Sequence, residues 1–170
     1  MTRIQTATSP SGKSQELLSM VEKKLGRVPN MMKTLAHSPV ALELYLTMSG
    51  ILGGSSIPAK DQERLALLSA EKNSCGYCNK AHAAIGKGAG LTDSEIAAAR
   101  SGEATNPKTA AMLTFAAAVL EKKGRVSDQE FAAAKSSGLS DAEILEVIGV
   151  TCLNIYTNYV NQVADTVIDF

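Results

Sequence analysis

Helix-opening signatures recur along this chain at short intervals, and no segment alternates apolar and polar residues as a half-buried strand requires. Ser38-Pro39 and Asn106-Pro107 each place a side-chain cap before a proline. Proline fits the first helical position because it has no N–H to leave unpaired. These openings predict helices to about Leu52 and about Lys123, the second ended by Gly124. Gly53-Gly54-Ser55-Ser56 is a break, and Pro58 opens a further helix to about Asn73. Ser127-Asp128-Gln129-Glu130 and Ser140-Asp141-Ala142-Glu143 read as capping boxes, with Ser bonding forward and Glu bonding back. Leu91-Thr92-Asp93-Ser94-Glu95 opens a shorter helix in the same manner. Val147 to Leu153 has the look of a strand, but the capping box ahead of it and the spacing of Tyr156, Tyr159, Val160 and Val163 favour helix. The expected class is all-α, a single-domain helical bundle with short loops.

The core of that bundle has to be filled without tryptophan and with aromatic residues at only 4% of the chain. Ala, Leu, Ile, Val and Met remain, which suits closely packed helices. Met20, Met31, Met32 and Met48 are expected in ordinary helix packing, with a pocket or a subunit interface as the other use for such adaptable side chains. A length of 170 residues is enough for one domain with a substantial core. Lys plus Arg (17) balances Asp plus Glu (17) and no basic run occurs, which argues against a nucleic-acid partner. No apolar run reaches membrane-spanning length, and Met1 to Pro10 is polar and Thr/Ser-rich without a signal-peptide core. The expectation is a cytoplasmic protein with a flexible arm over residues 1–12 and one helical domain over residues 13–170.

Three cysteines are an odd number, and two of them lie close together in Cys75-Gly76-Tyr77-Cys78. A structural disulfide framework does not fit such a chain, whereas redox or metal chemistry at the close pair does. Cys152, among Ile148, Val150 and Leu153, is expected to be a buried, inert thiol. Asn73-Ser74 closes one helix and Cys75-Gly76 begins the next, so the pair is expected at a helix N-terminus. Unpaired N–H groups and the helix dipole there favour an anion, drawing a thiol from its usual pKa of about 8.5 toward thiolate. His82 follows Cys78 by four residues and shares its helix face, with Cβ atoms roughly 5–6 Å apart. It is placed to hold or relay the thiol proton. Glu63, on the preceding helix beside Ala66, Leu67 and Ala70, is expected to be partly buried, raised in pKa and suited to proton transfer. Glu71, the rival carboxylate, lies near Arg64, Lys72 and the helix end, and is read as solvated. Which cysteine attacks first is open, since Cys75 lies nearer the helix end.

Other uses of a Cys-x-x-Cys pair fit less well. A closed zinc site wants four ligands, and no second pair exists, while His37 follows a distant helix. Cys75, Cys78, His82 and Glu63 together make the remaining candidate zinc set. Haem attachment needs histidine directly after the second cysteine, where Asn79 stands. A thioredoxin-type site needs a preceding strand, and the residues before Cys75 read as helix.

Glu63, Cys75, Cys78 and His82 together spell Glu-x11-Cys-x2-Cys-x3-His. This resembles the signature of the alkylhydroperoxidase D-like branch of the carboxymuconolactone decarboxylase family. Arg64 to Ala70 and Ala81-His82 are similar to that branch's core helix pair. Gly26 to Met31, Leu35 to Pro39 and Asn158 to Asn161 fit its single-domain members, so the resemblance spans residues 20 to 170. The resemblance implies an all-helical subunit that assembles as a trimer or hexamer. It implies that Cys78 is the peroxidatic thiolate, that Cys75 resolves its sulfenic acid as a disulfide, and that Glu63 and His82 form the proton relay. The implied partners are a hydroperoxide substrate and a dithiol reductant, dihydrolipoamide or a thioredoxin-like protein, with no cofactor. Tyr77 departs from members that carry histidine between the cysteines. The competing readings, in descending order, are a general disulfide oxidoreductase or redox sensor, a zinc-stabilised interaction module, and a decarboxylase-like enzyme, whose branch generally lacks the cysteine pair.

Overall fold

A computed structural model describes residues 2–170, and these residues form helices and loops with no strand among them. In chain order the helices are α1 (Gly12–Leu25), α2 (Asn30–Leu35), α3 (Pro39–Leu52), α4 (Ala59–Lys72), α5 (Gly76–Gly88), α6 (Asp93–Arg100), α7 (Pro107–Lys122), α8 (Asp128–Ser136) and α9 (Asp141–Ala164). The opening signatures act as their chemistry dictates. Ser38 and Asn106 accept backbone N–H groups with Pro39 and Pro107 at the first helical position, and Thr92, Ser127 and Ser140 each close a capping box. The first two helices carry no side-chain cap bond, so no signature of that kind announces them.

Helix α4 is the hub, packed against α5, α6, α7 and α9. Six successive residues, Leu65 to Ala70, are buried in it, and a helix buried on every side belongs at the centre. One apolar cluster gathers Leu17, Val21, Met31, Met32, Leu35 and Leu42 around Cys75 and Cys78. A second joins Leu65 and Leu68 to α7 and α9 through Leu113, Phe115 and Val147. Small residues let the helices close up where aromatic bulk is absent. At Gly86 in α5 a Cβ would stand 3.0 Å from Leu91 Cδ1 and 3.8 Å from Glu63 Cβ, so a bare backbone there allows α5 to approach α4.

The first residues are tied to the body. Arg3 and Ile4 donate backbone N–H groups to Ala164 O at 2.9 and 3.1 Å, and His37 Nε2 lies 2.9 Å from Gln5 O. Cys152 corrects the sequence reading, because it is exposed. The buried face of α9 runs through Val147, Val150, Thr151, Asn154, Thr157, Asn158 and Asn161, a helical stripe from which position 152 is turned away. Apolar neighbours in sequence were a poor guide because α9 is apolar on more than its inner face.

The capping carboxylates also contribute to the fold's sensitivity to acid. Glu143 is held down at about 2 by Lys108, then by the Ser140 backbone N–H, against an ordinary value of 4.5. A carboxyl lowered on folding stabilises the fold above its unfolded value and loses that contribution as pH falls toward the folded one. Thermal melts are therefore expected to weaken as pH drops from about 4.5 toward 2. Glu143→Gln should flatten this decline, and a variant melting in parallel with the parent at every pH would refute the assignment.

Candidate active site

The site begins where α4 stops. Asn73 caps α4, and Ser74 takes a left-handed φ of 55°, which turns the chain into α5. Helix α9 pins this turn: Asn73 Nδ2 donates to Asn158 Oδ1 at 2.8 Å, and Gln162 Nε2 donates to Asn73 O at 2.5 Å. Cys75 is then the N-cap of α5, its sulfur accepting the Cys78 N–H at 3.2 Å. The pair is joined as a disulfide with the Cα atoms 5.3 Å apart, within ordinary bridging range. Both sulfur-bearing residues are buried, Cys75 at 1% and Cys78 at 2% exposure.

The two cysteines differ in what they face. Cys78 is part of the wall of a cavity of about 490 Å³, and Cys75 stands behind it, outside that wall. Apolar residues from several helices line much of this space, including Val21, Met31, Met32, Leu46 and Val150. Met31 and Met32 are thus pocket residues, whereas Met20 is 64% exposed. His82, Glu63, Tyr45 and Asn161 supply polar groups to the same cavity.

His82 lies one turn beyond Cys78, and its Nδ1 is 2.8 Å from Glu63 Oε2. Each of the two side chains is largely covered, at 21% and 17% exposure. An Nδ1–H donated to the Glu63 carboxylate would leave Nε2 as the free ring nitrogen. The structure thus places Cys78, His82 and Glu63 on one cavity, with Cys75 bonded to Cys78 outside its wall. Glu71 stays at the exposed surface, accepting from Asn79 Nδ2 at 3.1 Å. Its expected cationic neighbours are engaged elsewhere, Arg64 with Asp61 and Glu95, and Lys72 with Glu121. Among the described residues, no three His, Cys, Asp or Glu side chains converge to hold a metal ion.

Three further contributors lie outside the four residues that the sequence assigned to the site. Tyr45 from α3 is raised in pKa by burial first and by the Glu63 charge second, which keeps its phenol protonated. Tyr77, between the cysteines, donates to Asp169 Oδ1 at 2.8 Å and accepts the Met31 N–H at 3.2 Å, so its hydroxyl is fully engaged. Asp169 Oδ2 in turn accepts the Asn30 N–H at 3.0 Å, and the Phe170 ring meets Tyr77 edge-on at 5.5 Å. The Arg27 guanidinium stacks 4.2 Å over Phe170 and donates to Asp169 O at 2.6 Å. The segment from Asp165 onward thereby straps the cysteine loop to α2. The third contributor is Asn161, whose Nδ2 donates to Cys78 Sγ at 3.3 Å. A signal for it existed: Asn154, Asn158 and Asn161 recur at helical spacing within an otherwise apolar helix.

Comparison with known proteins gives one family and several structures of similar fold. The sequence profile of the carboxymuconolactone decarboxylase family matches residues 39–122, from the start of α3 to the end of α7. No curated protein matches the chain in sequence. A peroxidase-related protein from Silicibacter sp. TM1040 superposes with a TM-score of 0.86 at 23% identity, covering 99% of this chain and 92% of that one. The debrominase Bmp8, in complex with 2,3,4-tribromopyrrole, gives 0.83 at 18% identity, with 99% and 92% covered. An alkylhydroperoxidase AhpD core protein from Ralstonia eutropha JMP134, also peroxidase-related, gives 0.80 at 22% identity, with 96% and 92% covered. At such identities the likeness to these structures concerns the fold.

Proposed function

Because this chain belongs, through residues 39–122, to the carboxymuconolactone decarboxylase family, we propose that it is a thiol-dependent peroxidase cycling through a Cys75/Cys78 disulfide. The observation that carries this reading is the wall position of Cys78, with Cys75 in bridging reach behind it and the His82–Glu63 pair in the same cavity. The peroxidase-related neighbours support it at the level of fold.

In the reduced protein His82 Nε2 takes the Cys78 thiol proton, and Glu63 holds the resulting imidazolium. The N-terminus of α5 favours the thiolate. The thiolate attacks the terminal oxygen of a hydroperoxide. An S–O bond forms as the O–O bond breaks, and the electron pair leaves on an alkoxide that takes the proton back from His82. Cys75 next attacks the Cys78 sulfenic acid, forming the disulfide, and the departing hydroxide leaves as water with the Cys75 proton. A dithiol, either dihydrolipoamide or a thioredoxin-like protein, returns two electrons and two protons by exchange. A homo-oligomer, a trimer or hexamer, is what the family resemblance implies, and exposed apolar side chains such as Val40, Leu44, Ile51, Leu145 and Val163 are available to such an interface. Among the described residues no helix is long and apolar enough to cross a membrane, and a cytoplasmic location completes the proposal.

The test is a count of free thiols and bound zinc before and after one equivalent of cumene hydroperoxide. The expected result is the loss of two thiols per chain, with Cys152 still free. No loss with zinc present would replace the peroxidase reading with a metal-stabilised module. No loss without zinc, but rapid exchange with protein disulfides, would leave a general redox partner. Thiol oxidation by a brominated pyrrole in place of peroxide would move the chemistry toward that of the debrominase neighbour.

A further inference from the structure

The Cys78 sulfur is touched from α9 by Asn161, whose Nδ2 lies 3.3 Å away. This side chain is 4% exposed and forms part of the cavity wall, and its Oδ1 is buried with no hydrogen-bond partner. Leaving a buried amide oxygen unpaired is unfavourable, and most such groups in folded proteins find a donor. The other asparagines on this face are bonded to the fold, Asn154 Nδ2 to Val150 O at 2.9 Å and Asn158 Oδ1 to Asn73 Nδ2 at 2.8 Å, with Asn158 Nδ2 left without a partner away from the cavity wall. Asn161 is tied to the reacting sulfur instead, with its acceptor left over.

We propose that Asn161 is a catalytic residue with two tasks. Its Nδ2–H donates to the Cys78 thiolate, and its Oδ1 accepts the O–H of the incoming hydroperoxide. The second task rests on the peroxidase reading, whereas the first concerns the thiolate whatever it attacks. An N–H donor to a thiolate is charge-assisted and favours the ionised form over the neutral thiol. An alkyl hydroperoxide carries a single O–H donor, on the oxygen that sulfur attacks. Accepting that hydrogen from the cavity wall fixes which oxygen is presented. The hydrogen stays on its oxygen as the S–O bond forms and the alkoxide leaves, so the same Oδ1 then holds the sulfenic acid. One amide thus serves the sulfur before and after oxidation.

Two variants separate the tasks. Asn161→Leu keeps the volume and removes both donor and acceptor, and Asn161→Asp keeps the shape and the acceptors while losing the donor. Lys24, Arg27, Tyr45, Glu63, Tyr77 and His82 line the same cavity and stay unchanged in both. The reduced proteins are alkylated with iodoacetamide over a range of pH, with Cys78 followed by mass mapping, and separately oxidised with cumene hydroperoxide. Asn161→Leu is expected to slow alkylation at neutral pH by about tenfold, the size of one charge-assisted hydrogen bond, with the profile moved to higher pH. Its reaction with peroxide should fall further, by about a hundredfold, because iodoacetamide has no O–H to place. Asn161→Asp should lose alkylation and peroxide reactivity in proportion.

Unchanged alkylation profiles in both variants would overturn the donor task. Peroxide loss in Asn161→Leu that merely parallels its alkylation would overturn the acceptor task. If Asn161→Leu loses its helical circular dichroism, Asn161→Asp decides the donor task alone. A parent protein that alkylates readily but ignores peroxide would defeat the peroxidase reading and leave the thiolate contact standing.

Discussion

Serine in place of Cys78 is expected to cut peroxide turnover by about three orders of magnitude or more, the scale at which removing a nucleophile acts. Serine in place of Cys75 is expected to leave a single turnover per chain. The asymmetry follows from position. Cys78 belongs to the cavity wall, whereas Cys75 caps α5 and lies outside that wall, bonded to Cys78. Without Cys75 the thiolate still attacks, and the reaction then halts at a sulfenic acid with no partner to close on. Stopped-flow consumption of cumene hydroperoxide under excess protein reads both cases, and dimedone captures the stalled sulfenic acid. The exchange of these phenotypes, one turnover in Cys78→Ser and none in Cys75→Ser, would reverse the assigned roles.

Truncating Leu68 to alanine is expected to cost about 2–5 kcal/mol of stability, the range for a fully buried leucine. Leu68 is 0% exposed, sits in the hub helix and belongs to the cluster shared with α7 and α9. The chain has few large aromatic side chains to slide into the void, so little of it should be refilled. At roughly 2–4 °C for each kcal/mol in a domain of this size, the melting temperature should fall by about 4–20 °C. Peroxide reactivity at low temperature should be nearly unchanged, because Glu63 and Ala66 reach the cavity from another face of α4. A thermal melt within about 1 °C of the parent would show that the hub is less tightly packed than its burial indicates.

The parts of this molecule legible in the sequence are those encoded over a few residues. A capping box closes within four positions, so α6, α8 and α9 start where Thr92, Ser127 and Ser140 say they should. Cys78 and His82 are one helical turn apart, so a shared face needs no tertiary information. The pairing of His82 with Glu63 required the packing of α5 on α4, and the family resemblance supplied that expectation better than periodicity did. What the sequence hid depends on distant contacts. Asp169 meets Asn30 across 139 positions, and Asn161 meets Cys78 across 83. No local pattern encodes such a contact. Cys152 shows the opposite failure, since apolar neighbours along the chain implied burial that helix geometry denies.

The near-complete burial of the disulfide bears on which kind of reductant could close the proposed cycle. At 1% and 2% exposure the sulfurs are out of reach of another protein's flat surface, while a slender molecule can enter along the cavity. A lipoyl-type arm is therefore expected to reach Cys78 along the cavity, and its reduction rate should climb in proportion to its concentration. A globular reductant is expected to need a local opening of the chain around the disulfide first. Its rate should level off at the frequency of that opening, however much reductant is supplied.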